Sequence, residues 1–156
     1  MKIPELSRQL SQLRSLISKS ESFSEEEFEL RSHWAKYICV LSAGFLENAL
    51  HEIFSNYCSL RAHPCVARFA SKALDRIQNP KADVFVQVAD SFNESWKSGL
   101  ENFIDDNGRK EAINSIMGIR HLIAHGKATS ISLVQLKNYL DKSVEVMEFI
   151  EVQCGK

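Results

Sequence analysis

Arg120, His121 and His125 fall within six residues of one another, in the stretch GIRHLIAHGKA from Gly118 to Ala128. Histidine has an unperturbed pKa of about 6.5, so it gives and takes protons near neutral pH. Arginine stays charged and presents a fork that holds two oxygens of a phosphate. Together the three side chains are equipped for proton transfer beside a bound phosphate. The same residues have two other readings. Histidines four apart share a helix face and can reach one metal ion, but no glutamate completes an HExxH pattern and no third ligand is evident. Cations at a helix C-terminus are also favoured by about 0.3–1 kcal/mol, which would account for them as a polar helix end.

Spacing constrains the first reading. At roughly 100° per residue, the five steps from Arg120 to His125 place them about 140° apart on a straight helix. His121 and His125, four apart, do share a face. Gly126 is the natural residue for a left-handed cap just past the last turn. Arg120 and His125 therefore cooperate only if the helix end bends them together or a second copy of the motif faces the first.

The elements that must position these residues read as helices. Leu6, Leu10, Leu13 and Ile17 predict a first helix over roughly Pro4 to Ser18. Ile38, Leu41, Phe45, Ala49, Ile53 and Tyr57 form a longer stripe, widened by Leu46, Leu50 and Phe54. Ser24 and Glu27 read as a capping box for that helix, with Glu25, Glu26 and Glu27 at its positive end, so it is expected to run from near Ser24 to about Leu60. Pro64 breaks the pattern, and a shorter amphipathic stretch follows from Val66 to about Ile77. Asn79-Pro80 marks a turn. One less regular helix is expected from Asp83 to about Ile104, with Phe92 and Trp96 on one face in the core. Asn107-Gly108 makes the next turn, and a helix from Arg109 carries Ile113, Ile116, Met117 and Ile119 up to the motif. Ser132 and Gln135 form a second capping box, and Leu136, Leu140, Val144, Met147 and Ile150 carry the last helix. The expected fold is all-α, an up-and-down bundle with about four long helices plus shorter ones.

The totals narrow the function classes. The 156 residues fit one domain with a substantial core. With 19 basic and 20 acidic side chains, the net charge is -1, which excludes a surface that coats nucleic acid non-specifically. No apolar run approaches the roughly 18–20 residues that span a bilayer, so no membrane is expected. The four cysteines form no CxxC pair and no leader segment is visible, which favours a reduced, cytoplasmic protein. Cys39 reads as a small buried hydrophobe. His51, Cys58, His63 and Cys65 match no zinc-finger spacing and read as loop and surface residues, and His33 beside Trp34 as a helix-surface pair.

"IRHLIAHG", a short connector and then "SLVQLKNYLDKSVEVMEFIE" resemble the C-terminal half of a HEPN domain. That superfamily of helical bundles carries an Arg-polar-x-x-x-His motif, matched here by Arg120, His121 and His125. His121 stands where Asn is commoner. The upstream "LSAGFLENALHEIF" resembles the helix that precedes the motif, especially in the RiboL-PSP-HEPN branch, and the resemblance runs loosely from Glu25 to Ile150.

The resemblance implies a metal-independent RNA endonuclease acting as a homodimer, with two motifs facing each other and no cofactor. RNA carries its own nucleophile, the 2′-OH, which attacks the adjacent phosphate when a base removes its proton. Arg120 would hold phosphate, His125 would move protons, and His121 would orient one of them or touch the substrate. Glu47 corresponds to an acidic residue that such families place near the motif, where it could pair with Arg120, or it is a boundary glutamate on a solvated edge. Lys127 is either a phosphate contact or a solvated loop lysine. A role in toxin–antitoxin or anti-phage systems follows from the resemblance alone, together with a possible antitoxin or regulatory partner. The rival reading is a non-catalytic helical module that binds proteins or nucleotides.

Overall fold

The computed structural model describes residues 1–20, 22–24 and 27–155. Among the described residues there are seven helices and no strand: α1 (Pro4–Ser20), α2 (Phe28–Arg61), α3 (Pro64–Leu74), α4 (Ala82–Phe92), α5 (Glu94–Asp105), α6 (Arg109–Ala124) and α7 (Leu133–Gly155). No described helix is long and apolar enough to cross a membrane.

Pairs of named contacts fix the directions of the four long helices. Asn48 donates to Gln9 at 3.0 Å and Trp34 Nε1 to the Leu16 carbonyl at 3.2 Å, so α1 and α2 are antiparallel. The Lys2 amide donates to Glu151 at 2.7 Å and Arg14 meets Asp141 at 3.3 Å, so α1 and α7 are antiparallel too. Arg109 at the start of α6 binds Glu145 at 2.7 Å, while His121 near its end shares a cleft with Gln135 near the start of α7. Thus α1, α2, α6 and α7 run up, down, up and down, as the apolar periodicity leads one to expect. Helices α3 to α5 are inserted between α2 and α6.

The core is built from the predicted stripes. Leu6, Leu10, Leu13 and Ile17 of α1, Ile38, Leu46, Leu50 and Ile53 of α2, Ile113, Ile116 and Met117 of α6, and Leu136, Leu140, Met147 and Ile150 of α7 form one buried cluster. Each such side chain contributes roughly 1.5–3 kcal/mol relative to exposure. Cys39 is fully buried as expected, with its thiol 3.7 Å from the Ile116 carbonyl.

Three expectations are corrected. The stretch from Asp83 to Ile104 is two helices, α4 and α5, rather than one. Asn93 divides them: its extended backbone (φ -159°, ψ 111°) ends α4, and its side-chain oxygen accepts from the Ser95 amide at 3.0 Å, capping α5. Phe92 and Trp96 therefore sit on different helices and are half-buried, Phe92 stacked on Phe54 at 4.7 Å and Trp96 edge-on to Tyr57 at 5.2 Å. The long helix opens at Phe28 rather than near Ser24. Glu27 does reach back to the Ser24 amide at 2.8 Å, but the Ser24 hydroxyl donates to the same carboxylate instead of capping the Glu27 amide. Glu25 and Glu26 lie outside the described residues. Finally, Pro64 starts a helix as well as ending one, because at the first position of α3 its missing N–H costs nothing.

Candidate functional site

The upper end of α6 is shaped by its cap. The Gly126 amide donates to the Ile123 carbonyl at 3.1 Å and the Lys127 amide to the Leu122 carbonyl at 2.9 Å. This pair of bonds, with Gly126 at φ +65°, is a Schellman motif. It satisfies two carbonyls that the helix would otherwise leave open, and it stops the chain where the sequence places glycine. Ile131, buried 6 % exposed, then pins the connector to the core, and the Ser132–Gln135 box opens α7, with the Gln135 amide 3.1 Å from the Ser132 hydroxyl.

Helix α6 stays regular through Ala124, and His125 keeps a near-helical backbone (φ -97°, ψ 12°) at the cap. Its imidazole consequently lies over that of His121, with ring centroids 4.4 Å apart and planes at 56°. Both rings are exposed. The helix end thus joins His125 to His121 and not to Arg120. Arg120 is half-buried, and among the described residues it makes no hydrogen bond or ion pair. Lys127 is exposed immediately beyond the cap.

Glu47 lies elsewhere. Cys39 of α2 is level with Ile116 of α6. Glu47 is eight residues from Cys39 and Arg120 four residues from Ile116, in opposite directions along the bundle because the helices are antiparallel. At 1.5 Å per residue the two are about 18 Å apart along the axis. Of the two readings of Glu47, the pair with Arg120 does not form within one chain. Instead the Glu47 carboxylate accepts from the Asn79 amide at 2.9 Å, fixing a turn in which Asn79 is left-handed at φ +51°.

Of the other candidates, His51 and Cys58 lie within α2, half-buried and buried, rather than in a loop or on the surface. His51 Nε2 is 3.0 Å from the Asp75 carboxylate and 3.4 Å from the Ser55 and Ser71 hydroxyls, tying α2 to α3. His63 caps α3 by accepting from the Cys65 amide at 3.4 Å. His33 is an exposed partner of Glu29 at 4.0 Å, whereas Trp34 is half-buried against Phe23. Among the described residues no three His, Cys, Asp or Glu side chains converge to hold an ion.

Periodicity did not single out a cleft of about 460 Å³ between α6, the connector and α7, with His121, Gly118 and Tyr139 in its lining. The one available signal was a glycine in mid-helix with no turn to make. A larger groove of about 690 Å³ lies between α1 and α2 along Leu16, Tyr37, Leu41 and Gly44, on the side of α2 turned away from α6 and from the histidines.

No curated protein and no solved structure matches the chain. An all-helical bundle closing a late helix on Arg120, His121 and His125 is what the resemblance to HEPN domains leads one to expect. A family model described as RiboL-PSP-HEPN matches residues 4–156, nearly the whole length, and the chain belongs to that family.

Proposed function

We propose that the chain is a metal-independent RNA endonuclease that acts as a homodimer in the cytoplasm. The observation that carries the reading is the exposed His121–His125 pair at the end of α6, next to an Arg120 with no partner among the described residues. Two imidazoles in contact give a proton acceptor and a group to orient it, and an uncommitted guanidinium is available for phosphate. Because His125 turns towards His121, Arg120 of one copy is best matched with His125 of another, across a two-fold axis. Membership of the RiboL-PSP-HEPN family supports the same reaction class.

In this reaction one histidine takes the proton of a ribose 2′-OH, and the oxygen attacks the adjacent phosphorus. Arg120 holds the charge that builds on the non-bridging oxygens. The bond from phosphorus to the 5′-oxygen breaks, and a protonated histidine donates to the leaving oxygen. The products are a 2′,3′-cyclic phosphate and a 5′-hydroxyl, with no net change in protons. Lys127 adds a cation at the rim of the site. A toxin or anti-phage setting, with an antitoxin or other regulator as partner, is the biological context this activity fits.

The test is cleavage of labelled RNA in EDTA by the purified protein beside Arg120→Ala and His125→Ala. Loss of positioned acid–base catalysis is expected to slow cutting by about 10²–10⁴-fold. Wild type cutting no faster than either variant defeats the reading and leaves a non-catalytic binding module. Activity that vanishes in EDTA and returns with a divalent ion points to a metal-dependent enzyme instead.

A further inference from the structure

Gly118 has no reason in the fold to be glycine. It lies in the interior of α6, its backbone is not left-handed, and a Cβ built there meets no atom within 4 Å. Glycine inside a helix costs roughly 0.5–1 kcal/mol relative to alanine. The open space it leaves is the cleft between α6 and α7. Gly118, His121 and His125 follow one another at i, i+3 and i+7, so the space lies on the same face of α6 as the two imidazoles.

No Asp, Glu, Lys or Arg lines this cleft, which His121 shares with small, apolar and uncharged polar residues. The half-buried Tyr139 ring and the buried Ile131 provide apolar walls. Among the described residues the hydroxyls of Ser115, Ser130 and Tyr139 make no hydrogen bond. Gln135 uses its side-chain oxygen on the Ser132 amide at 3.3 Å, which leaves its NH₂ group to donate. A flat group with a polar edge and no charge suits such a slot, and a phosphate or carboxylate does not.

We propose that this cleft is a nucleobase pocket that receives the base adjoining the phosphate handled by Arg120 and His125. The proposal rests on the ribonuclease reading and narrows it to single-stranded or looped RNA, since only an unstacked base presents its face and edge to a slot of this kind. Gly118 keeps the pocket open, Tyr139 offers the ring for stacking, and Ser115, Ser130 and Gln135 read the edge of the base.

The experiment uses the full chain labelled with ¹⁵N, titrated with each of the four 3′-nucleoside monophosphates. A parallel titration uses a trinucleotide made uncleavable by a 2′-deoxy sugar at the scissile position. The expected result is that one or two of the four bases shift the Gly118 amide and the Tyr139 resonances, and that the trinucleotide binds more tightly through the same signals. Gly118→Leu fills the cleft and is expected to weaken that binding at least tenfold while the melting temperature holds or rises. Gly118→Ala gives a smaller loss in the same direction. The proposal is overturned if neither probe moves Gly118 and Tyr139, or if both probes bind Gly118→Leu as they bind wild type. It is also overturned if Gly118→Leu halves the mass in solution, which would make the cleft a contact between copies. None of these readouts needs cleavage, so failure of the EDTA assay and failure of the pocket are separate results.

Discussion

The imidazole of His125 lies against that of His121, 4.4 Å between ring centroids, and among the described residues makes no hydrogen bond with Arg120. A straight helix with a Schellman end has no means of swinging a cap residue through the roughly 140° that separate positions five apart. Within one chain the two histidines are in contact and Arg120 is left without a partner among the described residues, so the proposed site needs a second copy to bring them together.

That geometry makes a quantitative prediction about mixtures. Arg120→Ala and His125→Ala are each expected to be inactive alone. If every site takes Arg120 from one copy and His125 from the other, a mixed dimer holds one intact site and one doubly defective site. Equal mixing with free exchange gives half mixed dimers, so activity returns to roughly a quarter of wild type under two-fold symmetry. The measurement is cleavage rate after unfolding and refolding the two variants together. No recovery above the separate variants rules out the shared site.

Gly126 offers a second test, of the cap itself. A Cβ at this position meets nothing within 4 Å, so the cost of a side chain is conformational and not steric. A non-glycine residue held at φ +65° loses about 1–2 kcal/mol. Gly126→Ala is then expected to lower the melting temperature by about 2–8 °C for a chain of this length. Gly126→Asn should cost less, because asparagine tolerates the left-handed region. Equal melting temperatures for wild type and Gly126→Ala would show that the cap does not depend on the glycine.

Most of the frame that carries the motif was legible in the sequence because it is periodic. Four stripes spaced at three and four residues name the residues buried between α1, α2, α6 and α7, and Gly126 and Ser132 mark where α6 ends and α7 begins. Part of what was not legible depends on contacts between helices. Nothing local shows that Arg109 lies 3.9 Å over the Phe103 ring while binding Glu145. The break at Asn93 escaped because the apolar spacing of α4 runs on into α5 without a visible interruption. The site was half legible: residue types and angular spacing already separated Arg120 from His125, but the cleft beside Gly118 exists only once α7 is packed against α6.

Glu47 illustrates the same limit, and it is testable. Its carboxylate accepts the Asn79 amide in a turn remote from the histidines. Removing the acceptor leaves that part-buried amide unsatisfied, at a cost of about 1–3 kcal/mol. Glu47→Ala is expected to lower the unfolding free energy by that amount, read from the shift of the denaturant midpoint at unchanged slope, and Glu47→Gln, which keeps an oxygen, by less. Cleavage per folded molecule should fall far short of the roughly 10²-fold that loss of an acid–base group brings. A stable Glu47→Gln protein with activity as low as His125→Ala would return Glu47 to the site, contributed from a second copy.

The cysteines give a prediction in pH. Burial pushes the thiols of Cys39 and Cys154 up from 9.0 to about 12, and raises that of Cys58 as well, whereas Cys65 is exposed. Only the thiolate reacts with a disulfide reagent, so one thiol is expected to react quickly in the native protein at pH 8 and the other three only on unfolding. The sign of the stability effect follows from proton binding. Above pH 9 an unfolded chain releases the protons that the folded chain still holds on Cys39 and Cys154. The stabilisation from keeping these thiols neutral is therefore complete below pH 9 and is lost as the pH rises towards 12. Melting temperature should fall across that range, and less steeply in the Cys39→Ala, Cys154→Ala double variant, even though the cavities lower its stability at every pH. Four thiols reacting at one rate in the native protein, or parallel alkaline slopes for the two proteins, would show that burial does not hold these protons.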